Sequence, residues 1–536
     1  MWHQAKYMWV RNRCSPTFIT SVIFRVSLII AAVVIGFSFY HRNTNMWALK
    51  NLGDSFLSKN IGRRPIVIGA FHRPKEETNV RGDYAVIQFV GDARQSHQLY
   101  CHSEVDGVTT VSRAHIERIH KGKRAANDIC AWSGHLAECE LASSEVKNVK
   151  LSSNPYVKPE LAIDVKIEEP LLFPQRQKLV VCAAPMYIYT EWQILITGIE
   201  TWLALGATKI IVPVQSAANS TYAILKEYEK QGIVILRDWP MWPVLSDVNP
   251  NGLVLSRGIE ESHVNCLFFA KPFSDIVVFT DIDDMLLPPN PLHVKPGINI
   301  KILEDLFKEH PQAGSFLFEH RDVQFVLPED SGSENTLQNF NFNFLDNTKW
   351  KSSCKVWRMK TRVAVNASRV DSVNMHETGI HRFGHVQVRV PCRQAHFYHL
   401  RHSYKNIAAG EWPLEMSSLK VMLNEQWKQR LPTLGSLVQA TIVKSSTESF
   451  EDFDTCMGSI NEEHWKMQVS RCLTPHVCYS RLTRNISCVA TSGNYAFVHD
   501  SGDYITVLQS SQTVDSEANC EAPVPKYIKG NHYYLP

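Results

Sequence analysis

The chain has 536 residues, a formal net charge of +3, 44% hydrophobic residues and 20% charged residues. That length gives room for two or three domains with real cores, and that composition excludes a disordered chain. The basic residues are scattered rather than gathered, which argues against a nucleic-acid partner.

The first predicted element is a membrane segment. Val22 to Tyr40 reads VIFRVSLIIAAVVIGFSFY, uncharged except for Arg25. At about 1.5 Å per residue it reaches roughly 28 Å, close to a bilayer core. Arg25 lies near one end and can snorkel to the interface. Lys6, Arg11 and Arg13 precede the segment, and this excess of positive charge keeps the N-terminus cytosolic. The expectation is a cytosolic tail over 1–21, a transmembrane signal anchor over 22–40 and a stem over 41–62, with the body lumenal. A cleaved signal peptide is the competing reading. The short apolar stretch fits a thinner membrane of the early secretory route.

Other residues agree with a lumenal body. There are 13 cysteines, and only Cys14 precedes the span. The even remainder suggests disulfides, whose connectivity cannot be deduced from spacing. The absence of a C-x-x-C pair argues against structural zinc. Asn219, Asn366 and Asn485 open N-glycosylation sequons.

Residues 63–176 read as a small β-rich accessory domain with strands near 66–71 and 84–90, followed by a linker or extended edge over 142–176. Residues 177–440 read as an α/β unit. Strands at 178–185, 209–214, 233–237 and 276–280 alternate with helices at 191–205, 221–231 and 260–271, the pattern of a mostly parallel sheet flanked by helices. Gly198 interrupts the first helix. A helix over 301–310, strands at 314–318, 323–327, 363–370 and 386–390, and a closing helix over 417–431 follow. The Asn-rich stretch 328–347 is a loop, either an acceptor-side lid or plain surface. Residues 441–536 read as a cysteine-containing C-terminal extension.

Asp281-Ile282-Asp283-Asp284 ends the strand at 276–280. Strands of α/β sheets open their C-terminal ends into the ligand crevice. Crowded carboxylates repel one another and make sense around a cation. Hard oxygen ligands suit Mg²⁺, Mn²⁺ or Ca²⁺, and a Mg²⁺-like ion can share its shell between carboxylates and substrate phosphates. The residues thus point to a metal-held nucleotide diphosphate. An acidic strand-end turn without a ligand is the alternative.

VVCAAPMYIYTEWQILITGIETWLALGATKIIV, YEKQGIVILRDWP, HVNCLFFAKPFSDIVVFTDIDDMLLP and AHFYHLRHSY, in this order, resemble glycosyltransferase family 92. The resemblance covers roughly 178–431 and implies a GT-A-like sheet, a type II Golgi membrane protein, and metal-dependent, inverting transfer from UDP-galactose to a glycan such as a fucosylated N-glycan. It implies Asp281 and Asp283 as metal ligands, with His399 as a further metal ligand or a phosphate contact. Asp284 stands where the family often has Glu, and His399-Leu400-Arg401 where it often reads His-Tyr-Arg. Asp284 and Arg401 would then meet the nucleotide sugar, as would Pro185, Glu191 and Trp192 after the first strand. Cys266 matches a family cysteine of structural role.

Inverting transfer also needs a carboxylate to take the acceptor proton. Glu319, Asp322 and Glu377 all lie downstream of the metal motif. Glu319 directly follows a predicted strand and is the candidate base, against a solvated strand-end carboxylate. His376-Glu377 is a further His–acid pair, acceptor-side or structural. A retaining transferase, or another sugar nucleotide, stays open. So do a catalytically inactive glycan-binding or cell-surface protein and a haloacid dehalogenase-like phosphatase, although three strands precede the D-x-D where a phosphatase motif opens its domain.

Overall fold

The computed structural model describes residues 25, 27–32, 62–75, 82–120, 130–245, 247–255, 258–325, 336–350, 361–374, 376–391, 393–402, 412–440, 442, 487–500, 502–516, 520, 522–523 and 525–529. It divides into one unit over Met1–Gly62 and another over Arg63–Pro536. In the first, residues 25 and 27–32 are helical. No helix among the described residues is long and apolar enough to cross a membrane. The expected tail, most of the expected anchor and all of the stem but Gly62 lie outside the described residues.

The second unit is built on a sheet. Apolar runs rich in Val and Ile form β1 (Gln177–Ala183), β2 (Lys209–Val214), β3 (Val234–Asp238) and β4 (Ser274–Thr280), in the parallel order β3-β2-β1-β4. Helices α1 (Trp192–Ala204), α2 (Asn219–Lys230) and α3 (Ile259–Ala270) carry the crossovers. Then come β5 (Asp284–Leu287), α4 (Ile298–Glu309), β6 (Ala313–Phe325), β7 (Thr361–Asn366), β8 (His396–His402) and α5 (Ser417–Arg430).

The expected mostly parallel sheet is mixed. β7 lies antiparallel between β4 and β6, and β8 pairs parallel with β6 and antiparallel with β5. Between β6 and β7 no α-helix occurs among the described residues, and antiparallel neighbours need no crossover helix. Hydrophobic pattern carries no strand direction. The two strands expected at 314–318 and 323–327 are one strand, β6. Its polar middle read as a break, but that polar middle meets the site described below.

Side chains alternate across the sheet. Leu179, Val181 and Ala183 join one core with α1, α2 and α5, while Val180 and Cys182 join another with Val264, Leu267 and Phe268 of α3. A disulfide between Cys182 and Cys266 ties β1 to α3. Within the expected loop over 328–347, Leu337, Phe340, Phe342, Phe344 and Leu345 belong to the core, with Phe340 and Phe342 edge-on to Trp427 at 5.7 and 6.4 Å.

The accessory sheet draws on both ends of the chain. Its order is Ser216–Ala218, Cys488–Asp500, Asp503–Ser516, Ile66–Arg73, Tyr84–Asp92, Trp132–Glu140 and His115–Arg118. The region 441–536 therefore supplies a hairpin to the same sheet as 63–176, with Ile66 beside Thr506 and Val67 beside Val507. The stretch 142–176 supplies Asn148–Ser152 and Ile163–Lys166 to a four-stranded sheet with Tyr100–Val105 and Val108–Arg113. Disulfides join Cys101 to Cys139 and Cys488 to Cys520. Phe71, Val86, Ile119 and Leu136 of the accessory sheet and its loops pack into the α3 core.

Candidate active site

β4 stops at Thr280, and the turn Asp281–Asp283 feeds directly into β5 at Asp284. The Asp284 N–H donates to the Asp281 carbonyl at 3.1 Å. Helix α1 presses on this turn through Gly198, where any Cβ would lie 1.9 Å from the Ile282 carbonyl oxygen. The turn presents its acids unequally. The side chains of Asp281 and Asp283 are 31% and 23% exposed, that of Asp284 is 0% exposed.

Asp284 is the hub. Its Oδ2 accepts from Thr280 Oγ1 (2.8 Å), the Asp281 N–H (3.1 Å) and Arg362 Nε (2.5 Å), and its Oδ1 faces His320 Nε2 (2.7 Å) and His399 Nδ1 (2.8 Å). Arg362 comes from β7 and also donates through Nη2 to Asp281. His320 comes from β6, and His399 sits opposite Asp284 in the β5–β8 ladder. His399 Nδ1 is also 3.5 Å from Asp283 Oδ2.

The charges follow from these distances. Burial opposes ionisation of Asp284, but Arg362, His320 and His399 hold it well below the usual carboxylate range. Burial, with the nearby charges of Asp284 and Asp281, pushes the Asp283 carboxyl upward. Burial works against a charged His399, yet Asp283 and Asp284 raise it to about 9. Burial first, then the Arg362 charge, lowers His320.

Ligand atoms of Asp281, Asp283, Asp284 and His399 lie within 4.8 Å of one another, a candidate metal site. Asp284 is already saturated by five neighbours, so it orients the group rather than ligates. Asp281, Asp283 and His399 remain, and two partly exposed carboxylates with an imidazole fit a divalent ion such as Mn²⁺ or Mg²⁺.

The other expected site residues scatter. Asp284 is too buried to meet a nucleotide. Trp192 is 2% exposed with its ring 5.5 Å from that of Phe340, so it is a core residue and not a face for uridine. Pro185 is buried in the loop after β1, and Glu191 is half-buried just before α1. Arg401 lies on β8 opposite Gln324, and its side chain lies outside the described residues. Glu319 is turned away: neighbouring residues of β6 alternate, His320 takes the site side, and Glu319 meets Arg321 at 3.3 Å and Arg389 at 4.0 Å. Asn219 is exposed at the start of α2, Asn366 is half-buried with its Oδ1 accepting from Ser368, and Asn485 lies outside the described residues.

Sequence reasoning missed Arg362 and His320. The available signal was an arginine inside a strand-like run, Thr361-Arg362-Val363-Ala364-Val365, and a histidine inside the polar break of β6. Such charges are buried only when paired. His376 also lies close by. Its Nδ1–H donates to the carbonyl of Thr361 at 3.1 Å, the residue before Arg362.

The model of glycosyltransferase family 92 matches residues 177–453, just over half of the chain. One Caenorhabditis elegans glycosyltransferase family 92 protein is 26% identical over 194 residues, covering 34% of this chain and 36% of its own length. Another is 24% identical over 306 residues, covering 56% of this chain and 55% of its own. The chain thus spans about a third to a half of the length of these curated relatives. A crystal structure of S. aureus TarS 1–349 in complex with UDP-GlcNAc aligns over 54% of this chain and 73% of its own at 9% identity, with a TM-score of 0.24 too low to carry an argument.

Proposed function

Because the chain belongs to glycosyltransferase family 92, we propose that it transfers a hexose, galactose from UDP-galactose, to a hydroxyl of a glycan acceptor with inversion and metal assistance. The observation that carries this reading is the pair Asp281 and Asp283 at the C-terminal end of β4, joined by His399 and locked by the buried Asp284. Asp281, Asp283 and His399 would hold Mn²⁺ or Mg²⁺. When bound, such an ion neutralises charge developing on the diphosphate leaving group. The protein's part is positional. Asp284 and Arg362 fix the carboxylates before the donor arrives, so little reorganisation remains for the reaction. The galactose donor, a fucosylated N-glycan acceptor and a Golgi location rest on the family resemblance, and a type II anchor with a lumenal body rests also on the apolar run 22–40 and the basic residues before it.

The test is a donor panel on the purified fragment from about residue 45 with Mn²⁺ and fucosylated glycans. Transfer from UDP-galactose, and not from UDP-glucose or UDP-N-acetylgalactosamine, supports the donor assignment. Turnover of another sugar nucleotide keeps the transferase and changes the donor. No binding of any UDP-sugar would favour an inactive glycan-binding protein.

A further inference from the structure

Resting on the sugar-transfer reading, we infer that Glu377 is the general base and that His120, from the accessory domain, positions it. Glu377 lies in the turn between the paired strands Val370–Val373 and Thr378–His381. Its neighbour His376 is pinned to Thr361, and Arg362, next in the chain, holds Asp281. The N–H groups of His376 and Glu377 both donate to Asn374 Oδ1, at 2.7 and 2.8 Å, which fixes the backbone there.

The accessory domain closes over this hairpin. Ser372 Oγ donates to the Ile119 carbonyl. A Cβ on Gly379 would lie 2.1 Å from the same oxygen, so only glycine admits so close an approach. The next residue, His120, is 5% exposed. Its Nδ1 is 3.0 Å from Glu260 on α3, and its Nε2 is 3.3 Å from Asn374 Nδ2 and 3.9 Å from Glu377 Oε1.

His120 Nε2, 3.9 Å from Glu377 Oε1, stands just beyond hydrogen-bond reach. Oε1 is buried without a hydrogen-bond partner among the described residues, while the side chain keeps 20% exposure. Three of the described acids are otherwise engaged. Glu319 is tied to Arg321, Asp371 to Lys271, Arg73 and Arg382, and Glu260 to His120. In transfer, the acceptor O–H proton passes to Glu377 Oε2 as the acceptor oxygen bonds the anomeric carbon. The bond from that carbon to the diphosphate breaks, and its electron pair leaves on the nucleoside diphosphate.

The experiment compares wild type, Glu377→Gln, Glu377→Asp and His120→Gln for UDP-galactose affinity, kcat and KM. Glu377→Gln is expected to lower kcat by about 10²–10⁴-fold with donor affinity unchanged, and Glu377→Asp to restore part of it. His120→Gln is expected to lower kcat about tenfold with donor KM and melting temperature near wild type, a split that general loosening would not give. Glu377→Gln with kcat within about threefold of wild type overturns the base assignment and leaves sugar transfer standing. Wild-type protein that binds no UDP-sugar overturns both.

Discussion

Gly198 of α1 faces the Ile282 carbonyl of the metal turn so closely that a methyl group cannot fit between them. A glycine that weakens a helix by about 1 kcal/mol relative to alanine is kept where the helix must touch the loop it supports. Gly198→Ala would raise intrinsic helix propensity yet push the turn away. The expected outcome is a net loss of about 1–3 kcal/mol in denaturant unfolding and a fall in kcat greater than the fall in folded fraction. A stabilised, fully active variant would contradict the contact.

Asp284 holds Arg362, His320 and His399 without being open to solvent. Asp284→Ala leaves a buried guanidinium without its carboxylate. The loss is expected at about 3–5 kcal/mol, with metal affinity down about 10–100-fold in whatever fraction folds. Calorimetric titration with Mn²⁺ checks the second figure against Asp281→Ala, which should lose the metal without so large a loss of stability.

Trp192 separates a core role from a donor-binding one. Trp192→Ala should cost about 3–5 kcal/mol through the cavity left beside Phe340. Corrected for the folded fraction, its KM for donor should match wild type. A raised KM at full folding would return Trp192 to the nucleotide site.

Glu261 on α3 gives a pH signature. Burial, and then the charge of Glu260, raise its carboxyl from 4.5 to about 8. The folded protein therefore keeps a proton that the unfolded chain loses above pH about 4.5. Its contribution is most favourable below that pH and falls as pH rises toward about 8. Glu261→Gln cannot lose a proton, so its melting temperature should gain on wild type between pH 5 and pH 8. An equal difference at both values would contradict the shift.

The sequence showed much of the framework. Alternating apolar runs placed β1 to β4 and α1 to α3 within a few residues, because each is buried and bounded by turn residues. It did not show strand direction after β4, nor that 488–516 would complete the accessory sheet, because pairing partners far apart in sequence leave no local pattern. Asp281 and Asp283 were legible because acids at a strand end are conspicuous. Arg362 and His320 were not, because their meaning depends on Asp284, which lies 78 and 36 residues away. Glu319 misled for a geometric reason: one residue along β6 reverses the face.

The most direct measurement is galactose transfer by the fragment from about residue 45 from UDP-galactose to a fucosylated glycan mixture, with Mn²⁺, with EDTA, and with Asp283→Ala. The account predicts transfer that EDTA abolishes and Mn²⁺ restores, and that Asp283→Ala loses by about 100-fold or more while remaining folded. Full activity of Asp283→Ala, or transfer indifferent to EDTA, would contradict the metal-held donor at the end of β4.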